Sequence, residues 1–248
     1  METLEFRTDG ALGFLTLNRP DKYNAVDRRM LDELEAFWAE RRDDREIRVV
    51  VLDGGEARGF CAGLDIQTFG PEIFAGDPVA IYDAQRRMSH LLLAMRRAPQ
   101  PIISAVHGAA AGLGFSFAMA SDVRVLSEDA RFSAAYINLG VGGADMASSY
   151  FLPRLIGGRA SEYLLTGEWM DSATAMQLGF GNRLVERGGL LETATAIARA
   201  MADKDPLGLR MTKEAININI DAGGLEAVLE LEDRNQTVLM LAKRIRGD

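Results

Sequence analysis

Two short turns built from small residues constrain this chain more than any other part of its sequence. The first is Phe-Cys-Ala-Gly-Leu-Asp at residues 60–65, and the second is His-Gly-Ala-Ala-Ala-Gly-Leu-Gly at residues 107–114. Each follows an apolar run that predicts a buried strand. Such a turn can present a free backbone N–H, and the second leads into a helix start, which favours negative charge. Two such donors aimed at one point form an oxyanion hole, a site for a carbonyl oxygen that becomes negative during reaction.

Strand and helix patterns alternate along most of the chain. Runs typical of strands occur at residues 4–7, 12–17, 49–52, 102–106 and 123–126. The segment 27–41 predicts a helix with Asp27 as its N-cap, and apolar residues spaced by three and four predict another at 78–97. Between them, residues 67–78 contain two glycines and two prolines, which predicts a mobile loop. The alternation predicts an α/β fold.

The pattern becomes almost wholly helical after about residue 190, with helices predicted at 190–202, 206–220 and 225–245. The last of these is amphipathic and must pack against another surface. We therefore predict a core at residues 1–190 that holds the ligand site, and a helical C-terminal region at residues 191–248.

Composition argues against several classes of protein. A net charge of −8 disfavours nucleic acid as a partner. One cysteine permits no internal disulfide and fits the reducing cytoplasm. The first residues lack a signal-peptide pattern, and no apolar run approaches the roughly 20 residues of a membrane span. The two histidines lie far apart without a ligand cluster, so we expect no metal site. These features predict a cytoplasmic protein.

At the two turns, and at four further motifs, the chain resembles the crotonase (enoyl-CoA hydratase/isomerase) superfamily. The further motifs, in the family's order, are Asn-Arg-Pro-Asp-Lys-Tyr-Asn-Ala at 18–25, Ala-Met-Ala-Ser-Asp-Val-Arg-Val at 118–125, Leu-Pro-Arg-Leu-Ile-Gly at 152–157 and Leu-Leu-Thr-Gly at 164–167. An ordered set of this kind is far more specific than any single motif. The resemblance implies a spiral of ββα units, an acyl-CoA substrate, no cofactor beyond coenzyme A, and a homotrimer or homohexamer built through the C-terminal helices.

The resemblance also implies that the backbone N–H groups of Leu64 and Leu113 are the two oxyanion donors. Relatives usually have glycine at the place of Leu113, but leucine keeps the amide that would donate. By the same resemblance, Lys22, Cys61, Ala62 and Leu64 border the coenzyme A. The alternative is that both turns are purely structural.

The acid–base groups differ from those of typical hydratases in the family, which use two glutamates. Ser116 and Tyr136 stand at the two glutamate positions. Serine is not a base, and an unperturbed tyrosine stays protonated near pH 7. The two-glutamate hydration mechanism therefore cannot be transferred to this chain.

One carboxylate remains in the neighbouring glycine-rich loop, on Asp145. The stretch 145–154 resembles the segment of 4-chlorobenzoyl-CoA dehalogenases that bears their nucleophilic aspartate. Asp145 is thus a candidate acid, base or nucleophile, and the alternative is that it only N-caps a helix at 146–156. Those dehalogenases also have a histidine near the place of His90, but its surroundings match poorly and favour an exposed or packing role.

Together these features predict an enzyme of the enoyl-CoA hydratase/isomerase type, a lyase or isomerase that acts on an acyl-CoA through an oxyanion hole. Hydration, isomerisation and hydrolysis stay open as reactions. Two alternatives remain: dehalogenase-like or hydrolase chemistry at Asp145, and a catalytically silent CoA-binding partner subunit.

Overall fold

The computed structural model describes residues 1–247, except for the side chains of residues 72–75. The strands are β1 (Leu4–Asp9), β2 (Leu12–Leu17), β3 (Val49–Asp53), β4 (Ile102–Val106), β5 (Ala109–Ala111), β6 (Val123–Ser127), β7 (Arg131–Ser133), β8 (Met170–Asp171) and β9 (Arg183–Val185). The helices are α1 (Arg28–Arg41), α2 (Ile66–Ala75), α3 (Pro78–Arg97), α4 (Leu113–Ala120), α5 (Ser148–Ile156), α6 (Ala160–Thr166), α7 (Ser172–Gln177), α8 (Leu190–Ala202), α9 (Pro206–Asn219) and α10 (Leu225–Arg246).

Two sheets organise the chain. The larger has the order β1-β2-β3-β4-β6-β9, in which β1 and β2 are antiparallel and every other pair is parallel. Its central strands are continuous apolar runs because both faces of the sheet are covered. The smaller sheet has the order β5-β7-β8. The chain leaves the large sheet after β4, adds β5 to the small sheet, and returns through α4 to β6, which makes the winding a spiral.

Helix α8 covers one face of the large sheet, while α1, α3 and α4 lie in the larger apolar core. Leu190, Ala194 and Ala198 of α8 are buried in a cluster with residues of β2 and β3 such as Phe14 and Val51. In contrast, α10 packs on α9 and contains no buried residue. By these contacts, α8 packs with the sheet core. The division into a core at residues 1–190 and a helical region at residues 191–248 stays a prediction.

Most predicted elements are confirmed, including β2, β4, α3 and α8 at their predicted bounds. The mobile loop predicted at residues 67–78 is wrong, because Ile66–Ala75 forms helix α2 with Pro71 inside it. The Asp65 carboxylate accepts hydrogen bonds from the N–H groups of Gln67 and Thr68 at 3.1 and 3.3 Å. Phe69, on the same segment, is buried. This capping and burial outweigh the local glycine and proline content.

A buried lysine joins α9 to the core. Lys213 Nζ donates to the carbonyls of Gln100 and Met95 at 2.7 and 3.3 Å, and it pairs with the Asp122 carboxylate at 3.0 Å. Arg96 reaches the other oxygen of Asp122, also at 3.0 Å. Burial lowers the pKa of Lys213, and Asp122 opposes that shift. The charge is tolerated inside the protein because each ammonium hydrogen has an acceptor.

We predict that Lys213→Ala lowers the free energy of unfolding by about 3 kcal/mol, because it leaves buried acceptors without their donor. Urea unfolding followed by circular dichroism measures this. Lys204→Ala, at an exposed position, is the matched control and should change stability by less than about 0.5 kcal/mol. Equal stability of the two variants would show that Lys213 does not hold α9 in place.

Candidate active site

The first turn is fixed against strand β5. The Cys61 N–H donates to the carbonyl of Ala109 at 3.1 Å, and the Cys61 carbonyl accepts from the Ala111 N–H at 2.9 Å. Gly63 follows with a φ of +95°, and a Cβ at this position would lie 2.8 Å from the Ala111 carbonyl oxygen. Only glycine fits both the backbone conformation and the space. Leu64 comes directly after it.

The second turn repeats this arrangement at the start of α4. Gly112 has a φ of +52°, and its N–H donates to the Ser133 carbonyl at 3.0 Å. Leu113 follows as the first residue of the helix. A Cβ on Gly114 would lie 2.2 Å from the Cys61 carbonyl oxygen, so the helix start presses against the first turn. Each proposed donor thus follows a glycine whose φ is positive.

The two proposed donor groups are near each other and unpaired. An ideal Cβ built on Gly63 lies 3.4 Å from the Leu113 nitrogen, which places the turns side by side. Within residues 1–247, neither the Leu64 N–H nor the Leu113 N–H donates a hydrogen bond. Unpaired N–H groups in a folded interior are rare, so a pair of them is typical of a site for an anionic oxygen.

Charged and amide side chains brace the first turn. The Arg19 guanidinium bonds to the Asp65 carboxylate at 3.1 Å and pairs with Asp27 at 3.1 Å. The buried Asn24 side chain donates to the carbonyls of Gly54 and Phe60. Asp65 supports its loop through the hydrogen bonds that its carboxylate accepts from the Gln67 and Thr68 N–H groups. Its carboxylate is used by these contacts, so the geometry gives it no reacting role.

Ser116 and Tyr136 form a buried pair. The Ser116 hydroxyl and the Tyr136 hydroxyl are 2.9 Å apart, and both side chains are shielded from solvent. Burial raises the pKa of Tyr136 above its ordinary value, the hydrogen bond from Ser116 opposes this, and the nearby Asp145 charge raises it further. The phenol therefore stays protonated at neutral pH. The two positions to which the resemblance assigns the hydratase glutamates hold one neutral, hydrogen-bonded pair.

Asp145 is half-buried, and its charge acts on Tyr136. Its Oδ1 accepts from the Met146 N–H at 2.8 Å and from the Gln85 side-chain amide at 2.5 Å. Its Oδ2 accepts no hydrogen bond from the described residues. Burial raises the pKa of Asp145, and the two hydrogen bonds to Oδ1 oppose that shift. The carboxylate is thus anchored by one oxygen and has the other available.

The N-cap alternative for Asp145 is wrong. Helix α5 begins at Ser148, its N-cap residue is Ala147, and no side chain caps it. Met146 and Ala147 have φ values of +46° and +60°, a conformation that non-glycine residues rarely adopt. Ser148 Oγ closes this turn by accepting from the Asp145 N–H and donating to the Gly143 carbonyl. Backbone strain of this kind concentrates at functional sites.

The remaining candidate residues lie on α3, in the first turn and in the short turn Pro20–Lys22. His90 is exposed on α3, with its Nε2 3.3 Å from the Arg86 guanidinium. Cys61 is buried and burial raises its pKa to about 12, so its thiol stays protonated. Its backbone N–H and carbonyl both bond to β5, whereas the exposed Ala62 has a carbonyl that accepts nothing from the described residues. Lys22 is exposed, next to Tyr23, whose carbonyl accepts from the Ala62 N–H.

Sequence reasoning missed Gln85. It lies 60 positions before Asp145, on the predicted α3, and nothing in its local pattern distinguishes it from any polar helix residue. It also missed the strained pairs Tyr23–Asn24 and Met146–Ala147, the four non-glycine residues with positive φ in the described chain. The glycine-rich stretch before Asp145 was the sequence feature that could have predicted the unusual backbone of Met146 and Ala147.

Among residues 1–247, no group of three or more histidine, cysteine or acidic side chains is arranged to hold a metal ion. The same part of the chain contains no helix long and apolar enough to cross a membrane.

Known proteins are similar to this chain in sequence and in fold. The enoyl-CoA hydratase/isomerase family model matches residues 7–246. The chain is 35% identical over 234 residues to the probable enoyl-CoA hydratase echA12 of Mycobacterium leprae, covering 93% of this chain and 79% of that protein. It is 30% identical over 233 residues to the 1,2-epoxyphenylacetyl-CoA isomerase of Escherichia coli, covering 94% and 88%. A crystal structure from Streptomyces coelicolor A3(2), provisionally named an enoyl-CoA hydratase, superposes with a TM-score of 0.92 at 34% identity, covering 96% and 86%.

The fold and the site define a class of α/β spiral proteins with two unpaired backbone N–H groups in neighbouring turns and a half-buried carboxylate whose charge acts on a buried tyrosine. The chain belongs to the enoyl-CoA hydratase/isomerase family of the crotonase superfamily, enzymes that act on CoA thioesters. The family and the fold class predicted from the sequence are both confirmed.

We predict that Gly63→Ala lowers the free energy of unfolding by about 1–3 kcal/mol, because a side chain there is strained in φ and collides with the Ala111 carbonyl. Thermal or urea unfolding measures this. Gly188→Ala is the control, since its Cβ would meet nothing within 4 Å, and it should stay within about 0.5 kcal/mol of the wild type. A Gly63→Ala protein as stable as the control would contradict the close contact of the two turns.

Proposed function

We propose that this enzyme binds an acyl-CoA thioester with its carbonyl oxygen between the N–H groups of Leu64 and Leu113. These donors stabilise the enolate, or a related anion, that forms when a proton leaves the carbon next to the carbonyl. Asp145 is the acid–base group that moves the proton. The observation that supports this best is the pair of adjacent, unpaired N–H groups. Each such donor contributes about 3 kcal/mol of transition-state stabilisation.

The neutral Ser116–Tyr136 pair supports a reaction that uses one carboxylate rather than two. Neither hydroxyl can replace a glutamate as a base near pH 7. Asp145 is the carboxylate whose charge acts on Tyr136, and its Oδ2 is available. Its raised pKa brings it closer to the neutral range in which a general base is most effective.

The coenzyme A moiety is proposed to lie along the first turn. The Ala62 carbonyl accepts no bond from the described residues and suits a donor such as an adenine amino group. Lys22 supplies an exposed positive charge nearby for a phosphate. Cys61 contributes by fixing the turn, because its own backbone groups are bonded to β5. The cytoplasmic location stays a prediction.

The second candidate is thioester hydrolysis with Asp145 as a nucleophile, and the free Oδ2 is the observation that favours it. In that reaction Oδ2 attacks the thioester carbonyl, CoA leaves as its thiolate, and water then hydrolyses the acyl-aspartate anhydride. The products would be free CoA and the carboxylic acid. Proton exchange next to the carbonyl, without release of CoA, distinguishes the acid–base role.

We predict that the wild-type enzyme exchanges α-hydrogens of acetyl-CoA, hexanoyl-CoA or phenylacetyl-CoA for deuterium in D2O, as measured by mass spectrometry. Asp145→Asn should slow this exchange at least about 100-fold, because it removes the base. The variant should still bind the ester by calorimetry and keep its stability. Asp203→Asn, an exposed aspartate after α8, is the control and should exchange like the wild type.

Three results would decide against parts of this proposal. No exchange on any of the three esters would contradict the enolate chemistry. Release of free CoA in its place, lost in Asp145→Asn, would favour the nucleophilic role. Binding of the esters with neither exchange nor CoA release would favour a silent CoA-binding subunit.

We further predict that the enzyme in solution is a trimer or a dimer of trimers. Helix α10 has 22 residues and none is buried in a single chain, although Leu225, Met240 and Ile245 are large and apolar. Burying such a surface favours association. Light scattering should give a mass three or six times the chain mass of 27.1 kDa. A monomer at micromolar concentration would contradict this prediction.

A further inference from the structure

Helix α3 contributes one polar side chain to the reacting end of the site. The Gln85 amide donates to Asp145 Oδ1, across 60 positions of sequence. Gln85 follows the buried Ala84, at the edge of the apolar face with which α3 packs into the core. The amide therefore projects from an element that packing holds in place, whereas Asp145 lies in a turn that has little regular structure of its own.

The two donors on Oδ1 define the orientation of the carboxylate. The Met146 N–H alone would allow the group to rotate about the axis of that single hydrogen bond. A second donor from a different element removes this freedom, because both bonds must be satisfied by one oxygen. Oδ2 takes part in neither bond and accepts none from the described residues.

The turn that bears Asp145 needs such support. Met146 and Ala147 both adopt positive φ, and conformations of this kind cost about 1–3 kcal/mol each unless surrounding contacts impose them. Ser148 holds the turn from its own side, through the Asp145 N–H and the Gly143 carbonyl. Gln85 is the side chain of α3 that holds it from the opposite side.

We infer that Gln85 is a positioning residue, which orients the Asp145 carboxylate so that Oδ2 faces the substrate and which stabilises its ionised form. The inference rests on the proposed role of Asp145. Gln85 itself touches no reacting atom.

The groups around Asp145 determine how its pKa should respond to a change at Gln85. Tyr136 is the titratable side chain that faces it, and its phenol is protonated. Asp145 also contacts the neutral Gln85 amide of α3 and the Met146 N–H of its own turn. No charged side chain contributes to the pKa shift of Asp145. Both hydrogen bonds lower the pKa against the larger effect of burial. Losing the Gln85 bond must therefore raise the pKa of Asp145 further.

The test compares Gln85→Met, which keeps the length of the side chain and removes the donor, with Gln177→Met at an exposed position on α7. The assay is α-hydrogen exchange on whichever of the three esters the wild type exchanges fastest, across a range of pH. Gln85→Met should lower kcat about tenfold with KM unchanged. Because the base acts when ionised, the acidic limb of its pH profile should move to higher pH. Gln177→Met should match the wild type in both.

The same substitutions in an Asp145→Asn background separate the role of Gln85 from the role of Asp145. There, Gln85→Met should have no further effect, because it acts only through the carboxylate. If Asp145→Asn is slow while Gln85→Met has a normal rate and pH profile, the inference about Gln85 is overturned and the proposed function stands. If Asp145→Asn exchanges at the normal rate, the role of Asp145 fails and the role of Gln85 fails with it.

A second measurement does not depend on turnover. In protein labelled with 13C at the aspartate carboxyl, NMR titration follows Asp145 as the resonance that is absent from Asp145→Asn. Gln85→Met should titrate this resonance at higher pH than the wild type, and Gln85→Glu should raise it further through the added like charge. An unchanged titration in Gln85→Met would overturn the inference even if activity fell, because a loss of packing alone lowers the rate without moving the pKa.

Discussion

One backbone constraint underlies the whole site: the residue before each proposed donor is a glycine with a positive φ, a conformation that other residues rarely adopt. Gly63 and Gly112 each turn the chain so that the next N–H leaves the regular hydrogen-bond pattern. The Cys61 backbone bonds to strand β5 on both sides, and Gly114 presses on its carbonyl, which fixes the two turns to each other. These contacts thus hold two backbone N–H groups in place without hydrogen-bond partners, and both groups remain available to a ligand.

The chemistry proposed for this frame depends on contacts between distant parts of the chain. The neutral hydroxyls of Ser116 on α4 and Tyr136 form a hydrogen bond with each other, so their positions hold no charge. The remaining carboxylate, on Asp145, is held by a strained turn on one side and by Gln85 of α3 on the other. Burial raises its pKa, and anchoring one oxygen leaves the other free. A site with one carboxylate in this state is suited to moving a proton at a thioester, and less to positioning water between two acids.

Sequence patterns predicted the regular elements well, and the failures have identifiable causes. Apolar periodicity predicted β2, β4, α3 and α8 because each buries one continuous face or run. It failed at residues 67–78, where glycine and proline content predicted a loop and capping by Asp65 together with burial of Phe69 produced helix α2. It also suggested that Asp145 could cap a helix, whereas α5 starts three residues later from a left-handed Ala147. In both cases a local preference was overridden by contacts that local pattern does not contain.

The sequence by itself determined the α/β class and the two glycine turns, because these depend on residue types at fixed local spacing: apolar runs that form strands, and glycines where φ must be positive. Its ordered motifs identified the family, and the family resemblance implied the spiral. Only the tertiary structure decided that Ser116 bonds to Tyr136, that the Leu64 and Leu113 N–H groups stay unpaired side by side, and that Gln85 reaches Asp145. These features depend on which surfaces meet when the helices pack on the sheets. The partner of a buried polar group is set by that three-dimensional juxtaposition, which no single stretch of sequence encodes.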